Sequence, residues 1–424
     1  MISLGIDIGG TGCKCVAFRD TGEQIAMSYR EYPTKPGEVN LNALALRESV
    51  FFVISDCVKK LDDAKQVAAI TVSSFGESFV PVDRSGQPLS DIILYFANTE
   101  SGEFSRLVES VGAEKFMRIT CVLPDASYSL AKMLYTLRTA PRPVWKFLFV
   151  ASYICFCLSG ETVADYSLAC RSILFDVRKL CWSDELTSAC GIDPETLEFE
   201  RENYACVPYL DGRGYVTYAY NISGGAVVRW YRDSLAFYLK QAAKERGCSV
   251  YDILNETCPP EPTGLIVLPF LQGMGGTPDV LTGARGTIYG LTMHTSPADL
   301  YRAILEGLTF EMRYNLEKLA KYDIRPTTLF AAGGGAKSPV WRQIKADILG
   351  AEIRPTLADE AGALGSAILG LAAATGEKDR TALAARFVRY GQTAMPDAQR
   401  HAYYEKQFAL YKELREFEVR HARG

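Results

Sequence analysis

Two glycine turns hold the residues best suited to chemistry. The first is Gly9-Gly10-Thr11-Gly12, preceded by Asp7 near the end of an apolar run over residues 3–8 and followed by a second, mostly apolar run over 13–18. Glycine has no Cβ to block close approach, so the N–H groups of such a turn can converge on an anion. An acid just before the turn can hold Mg²⁺ directly or through water, because that ion prefers oxygen ligands. Strand, glycine turn, strand and the closing turn Asp20-Thr21-Gly22 also read as an ordinary hairpin. The stretch is not a Walker loop, whose glycines open a helix and end in Gly-Lys-Ser/Thr. The second turn is Gly333-Gly334-Gly335-Ala336-Lys337-Ser338, fed by a strand-like run over 328–332 and followed by a helical stretch over 339–349. A strand running through glycines into a helix can offer free helical N–H groups to a phosphate or nucleotide. A tight packing turn is the plainer alternative.

These turns need rigid elements behind them. Residues 24–32 suit a third strand, and 41–61 carry helical spacing through Leu46, Val50, Val53, Ile54 and Val58. The β-branched run 67–73 leads to Ser74-Phe75-Gly76-Glu77, and 79–82 reads as a strand before the turn Asp83-Arg84-Ser85-Gly86. Three strands, a helix and a further strand form an α/β pattern with mixed pairing. Helices are expected over 103–111, 129–138 and 144–158, and from Ser223 to about residue 243. In the second half, 264–270 reads as a strand. Residues 299–322 read as a long amphipathic helix with Leu300, Ile304, Leu308 and Met312 on its apolar side. Residues 360–370 make a helix so rich in Gly and Ala that another backbone or a flat ring could approach it closely; a plain helix–helix contact is the other reading. The tail helix over 397–419 carries Tyr404, Phe408, Tyr411 and Leu414 toward a core.

At 424 residues the chain is too long for one compact core, and two domains are the default. A net charge of −4 without a basic block argues against a nucleic-acid surface. Its 12 cysteines show no disulfide-framework spacing, and only three histidines accompany them, so buried free thiols fit better than a zinc site. Asp7 interrupts the N-terminal apolar run, so no secretory signal is expected. The longest apolar stretch, 147–158, is too short to span a bilayer and reads as a core helix. These features predict a soluble, cytoplasmic protein without a membrane partner.

Several stretches resemble the FGGY carbohydrate kinases, the family of xylulokinase, glycerol kinase and their relatives. Gly5-Ile-Asp-Ile-Gly-Gly-Thr11 is similar to the family's first phosphate motif. Asp165-Tyr-Ser-Leu-Ala-Cys-Arg-Ser-Ile-Leu-Phe-Asp176, followed by Trp182-Ser183, resembles its mid-chain motif. Gly283-Ala-Arg-Gly-Thr-Ile-Tyr-Gly-Leu291 with Arg302-Ala-Ile-Leu-Glu-Gly307 resembles a later block. Gly333 to Arg342, with Asp347 and the stretch 360–367, resembles the adenosine-side signature. The resemblance runs from residue 2 to beyond 410, in the family's order. It implies an α/β protein with two actin-like ATPase (ribonuclease H-like) domains, over residues 1–197 and 198–424, and a cleft between them that takes sugar and ATP. It further implies that Asp7 positions Mg²⁺, that Gly10, Thr11 and Gly12 contact phosphate, and that Gly333, Gly334, Gly335 and Ser338 line the nucleotide. Glu77 would then bind the sugar, with Asn98 and Tyr128 near two further substrate positions. The partners implied are ATP and a small sugar or polyol, and a homodimer is the assembly to test.

One departure stands against this agreement. After Gly191-Ile-Asp-Pro194 the family continues to a glycine-rich turn whose Asp is the catalytic base, then to a second phosphate turn. Here residues 195–198 run almost at once into 199–204 and Asp211-Gly-Arg-Gly214, which look like the segment beyond both motifs. Several dozen residues are missing, including the first strands of the second domain, and neither Asp193 nor Asp211 sits in the right motif to serve as base. Three accounts compete: an internal segment that the protein contains and this 424-residue sequence skips, a deletion that still folds, or a relative that binds without catalysing. Removing strands would expose a raw sheet edge, which favours the first.

Overall fold

The computed structural model describes residues 1–33, 39–94, 97, 102–193, 223–274, 281, 283–320, 325–358 and 360–423. Strand β1 (Ile2–Ile8) pairs antiparallel with β2 (Gly12–Arg19), which pairs antiparallel with β3 (Gln24–Glu31). A two-residue strand, β4 (Asn40–Leu41), leads to helix α1 (Ala43–Lys59), capped by the Asn42 side chain, which accepts from the Ala45 N–H at 3.0 Å. After α1 the chain enters β5 (Val67–Ser74), parallel to β1, giving the sheet order β3-β2-β1-β5.

The two faces of β1 follow from its alternation. Ile2, Leu4, Ile6 and Ile8 join Leu46, Val50, Val53 and Cys57 of α1 in one apolar core. Ser3, Gly5 and Asp7 point the other way, and that face receives the small-residue helix Ala361–Thr375. A Cβ on Gly5 would lie 1.9 Å from the Ala363 carbonyl oxygen, and one on Gly370 would lie 2.2 Å from Thr71 Oγ1. The Gly/Ala density of the helix therefore serves a helix-on-sheet contact, with backbone as the close neighbour at Gly5 and sheet side chains at Gly370.

The chain forms two compact units: Met1–Thr217 with Glu360–Phe387, and Tyr218–Asp359 with Val388–Gly424. A single cut between 197 and 198 cannot express this return of residues 360–387 to the first unit.

Two expected helices differ. Residues 144–158 divide into a strand, Lys146–Phe149, paired antiparallel with Phe79–Val82, and a helix, Val150–Ser159. The run is buried from Phe147 of the strand through Ile154 of the helix, so it carries no alternation that would separate the two. The helix from Ser223 ends at Trp230. The Ala236 N–H then reaches back five residues to the Tyr231 carbonyl at 3.0 Å, and a new helix spans Leu239–Arg246. A helix at Ala113–Thr120 went unforeseen.

In the second unit, Ile266–Leu268 pairs antiparallel with Thr287–Tyr289, and Thr328–Ala331 pairs in parallel with Glu352–Pro355. Its core is built on two long helices, Pro297–Ala320 and Ala398–Arg423. Tyr404, Phe408 and Tyr411 are buried, while Met312 turns outward. Two buried ion pairs lie among these helices. Arg302 bonds Glu306 at 2.7 Å, and the Tyr404 hydroxyl donates to the same carboxylate at 2.7 Å. Arg415 bonds Glu311 at 3.0 Å, where the Tyr411 hydroxyl donates at 2.6 Å. Burial pushes the Glu306 carboxyl up to about 7, against the pull of Arg302. Among the described residues no helix is long and apolar enough to cross a membrane.

Candidate functional site

The first glycine turn is a hairpin: the Gly9 N–H donates to the Gly12 carbonyl at 2.9 Å. Nothing lies within 4 Å of where a Cβ on Gly10 would sit, and Thr11 is exposed, so the turn's outer surface is open. Gly12 is different, because a Cβ there would meet the Arg30 carbonyl oxygen at 2.7 Å and the Tyr29 hydroxyl at 2.9 Å.

Asp7 faces Lys14 across the β1/β2 ladder. Lys14 Nζ lies 2.5 Å from Oε2 of Glu360, and the Asp7 carboxylate lies beside Gly362, whose missing Cβ leaves it room. Burial raises the Asp7 carboxyl above its ordinary value; Lys14 opposes the shift and Glu360 adds to it. A half-buried carboxylate whose burial disfavours its charge, with no hydrogen-bond donor on it among the described residues, is a good partner for a hard divalent cation. Lys14 and Glu360 were not singled out in the sequence. The second was visible only as the residue opening the small-residue helix and the 360–367 stretch of the family resemblance.

Glu77 lies three residues beyond β5, and Asp7 pairs with Ser73 of that strand. Both acids therefore occupy the carboxyl ends of adjacent parallel strands, the edge where open α/β sheets place ligands. Glu77 has φ of 62°, a left-handed backbone uncommon outside glycine and frequent at functional positions. Its Oε1 accepts from Nε and Nη2 of Arg171, a residue of the mid-chain motif. The Arg171 guanidinium lies 5.1 Å from the centre of the Tyr128 ring. Tyr128 and Glu77 are thus brought together through an arginine that sequence reasoning did not single out. Asn98 lies outside the described residues.

Below this cluster Lys132 is fully buried, donating to the carbonyls of Ser127 at 2.5 Å and Tyr128 at 3.2 Å. Burial lowers its ammonium to about 8, with Glu77 and Asp125 opposing. In the unfolded chain the same group holds its proton to about 10.5. Between those values the unfolded state binds more protons, so the Lys132 contribution to stability rises with pH. Melting curves of wild type and Lys132→Met should therefore move apart in favour of wild type as pH rises from 8 to 10; a difference independent of pH would contradict this titration.

In the second unit, Thr328–Ala331 runs into Gly333, whose φ of 76° and ψ of −169° suit glycine alone. Nothing crowds a Cβ on Gly333 or Gly334, whereas one on Gly335 would meet the Trp341 ring at 2.8 Å. Gly333 and Gly334 thus form an open surface, and Gly335 a packed one. Ser338 is buried: its hydroxyl donates to Asn255 Oδ1 at 2.7 Å and accepts from the Trp341 N–H at 3.1 Å, capping the helix Pro339–Leu349. Asp347 of the adenosine-side resemblance is likewise internal, bonded to Arg400 Nε at 2.7 Å.

Family models for the N-terminal and C-terminal domains of the FGGY carbohydrate kinases match residues 2–201 and 192–374. The gluconokinase of Bacillus subtilis (strain 168) is 27% identical over 458 positions, covering 89% of this chain and 88% of that protein. The xylulose kinase of Lactococcus lactis subsp. lactis is 24% identical, covering 97% and 96%. The share of this 424-residue chain matched to the gluconokinase is about 377 residues, so about 80 of the 458 positions have no counterpart here. Among solved structures, a gluconate kinase from Lactobacillus acidophilus superposes with a TM-score of 0.84 at 21% identity, covering 98% of this chain and 97% of that one. A xylulose kinase from Rhodospirillum rubrum superposes with a TM-score of 0.82 at 19% identity, covering 100% of both. These likenesses give the two-domain actin-like ATPase fold. With both domain models matched in order, the chain belongs to the FGGY family of carbohydrate kinases, ATP-using phosphotransferases.

Proposed function

We propose that the chain transfers the γ-phosphoryl group of ATP to a hydroxyl of a small polyol, ketose or sugar acid. The observation carrying this reading is the pairing of two acids at one sheet edge: Asp7 beside an open glycine turn, and Glu77 in a polar cluster with Arg171 and Tyr128. Asp7 would hold Mg²⁺, and Gly10, Thr11 and Gly12 would offer backbone to phosphate. The ion, when bound, neutralises charge on the phosphate oxygens. Gly333, Gly334 and Gly335 would line the nucleotide. Ser338, with its hydroxyl already engaged, would contribute by capping the helix behind them. Glu77 and Tyr128 would bind the sugar.

A second reading, a relative that binds sugar or nucleotide without catalysing, draws on the roughly 80 unmatched positions and on the missing base motif. ADP release measured with D-gluconate, D-xylulose and glycerol separates the two. Sugar-dependent turnover supports the kinase, while sugar binding with no turnover supports the binder. In an active enzyme, Glu77→Ala should raise the sugar KM by roughly 10–100-fold, the loss of a hydrogen bond to a charged group, while the ATP KM stays within about twofold. An equal rise in both constants would remove Glu77 from the sugar side.

A further inference from the structure

We propose that Arg171 is a positioning residue that fixes Glu77 for recognition of a substrate hydroxyl; the proposal rests on the reading of Glu77 as a sugar contact. A glutamate side chain has three rotatable bonds, and the left-handed backbone at Glu77 sets only the direction in which it starts. Arg171 supplies the rest. Nε and Nη2 both reach Oε1, so the planar guanidinium holds that oxygen from two directions and with it the last torsion of the side chain. Among the described residues, Oε2 of Glu77 has no protein partner, although the side chain is only 14% exposed. That oxygen is the acceptor left for a hydroxyl.

Three further features serve the same arrangement. Gly76 lies alongside the arginine, where a Cβ would sit at ordinary contact distance, 3.4 Å from Arg171 Cγ and 3.8 Å from Nε. Tyr128 lies under the guanidinium, holding its plane by cation–π attraction. Ser129 Oγ donates to the Glu77 carbonyl at 3.1 Å and ties the strained residue to the helix that follows Tyr128. The two partners are 94 residues apart in the chain, so the contact exists only in the folded unit.

The test is a double-mutant cycle on sugar affinity, using the full chain with Arg171→Met, Glu77→Ala and the double variant. Calorimetric Kd values for D-gluconate, D-xylulose and glycerol make the result independent of turnover. The expected result is a roughly tenfold weaker Kd for Arg171→Met, and little further loss when that change is added to Glu77→Ala, because the arginine acts through the glutamate. Arg171→Lys should recover part of the affinity, as an ammonium can pair with Oε1 without the fork. If Arg171→Met weakens binding equally with Glu77 present or absent, the arginine does not act by positioning it and the proposal is overturned. It is also overturned if Arg171→Met lowers the melting temperature and leaves Kd unchanged. If Glu77→Ala itself leaves Kd unchanged, or wild type binds none of the three compounds, the reading of Glu77 fails and the proposal with it. A loss in Glu77→Ala without one in Arg171→Met overturns the proposal alone.

Discussion

Replacing Asp7 with asparagine is expected to lower the kcat of sugar-dependent ATP turnover by at least about 10³-fold, because the side chain keeps its shape and loses the charge that would hold the cation on the transferring phosphate. The same substitution should leave the melting temperature unchanged or raise it. Burial already disfavours the ionised Asp7, so a neutral isostere removes a penalty from the folded state. Opposite movements of activity and stability are what separate a functional acid from a structural one. Turnover near the wild-type rate in Asp7→Asn would take Asp7 out of the chemistry.

The largest stability effect is expected at Gly5, where alanine should cost roughly 3 kcal/mol or more. The added carbon would sit 1.9 Å from the Ala363 carbonyl oxygen, well inside contact distance, and that oxygen belongs to backbone that no rotamer change can move. Relief requires moving the whole helix Ala361–Thr375 off the sheet. Gly370→Ala should be milder despite a 2.2 Å approach, since the two nearest neighbours are the hydroxyls of Thr71 and Ser3, which can rotate away, and the third, the Ala69 Cβ, lies at 3.1 Å. Gly365, on the same helix, has nothing within 4 Å, and alanine there should stabilise by up to about 1 kcal/mol through helix propensity. Urea denaturation of the three variants tests the order. A Gly5→Ala variant as stable as Gly365→Ala would mean that this helix does not seat on β1.

The elements written by local pattern were legible. The opening hairpin, α1, β5 and the long helices of the second unit follow from periodicity, turn glycines and caps within a dozen or so residues of each. Asp7 could be picked out because a glycine turn lies next to it, whereas Glu77 was named only through the family resemblance. What escaped depends on contacts between distant segments. Arg171 lies 94 residues from Glu77, Lys14 lies 346 residues from Glu360, and no local pattern reports either pairing. The strand Lys146–Phe149 escaped for the opposite reason. Phe147, Leu148 and Phe149 are all apolar and buried, and so is most of the start of the helix that follows, so the hydrophobic period does not change where the backbone does.

The placement of residues 360–387 also sets a timetable for synthesis. Strand β5, which completes the described four-stranded sheet, ends at Ser74, yet Thr375, the end of the helix that covers Ser3, Gly5 and Asp7, follows it by 301 residues. At about 5–20 residues per second, a ribosome delivers that stretch in roughly 15–60 s. For all of that interval the nascent sheet has one face bare, held open for a partner not yet translated. The first unit therefore cannot mature as it emerges and must wait until the helix ending at Thr375 has been made. A product released before residue 360 would be a client for chaperones and proteases, with no finished half to keep.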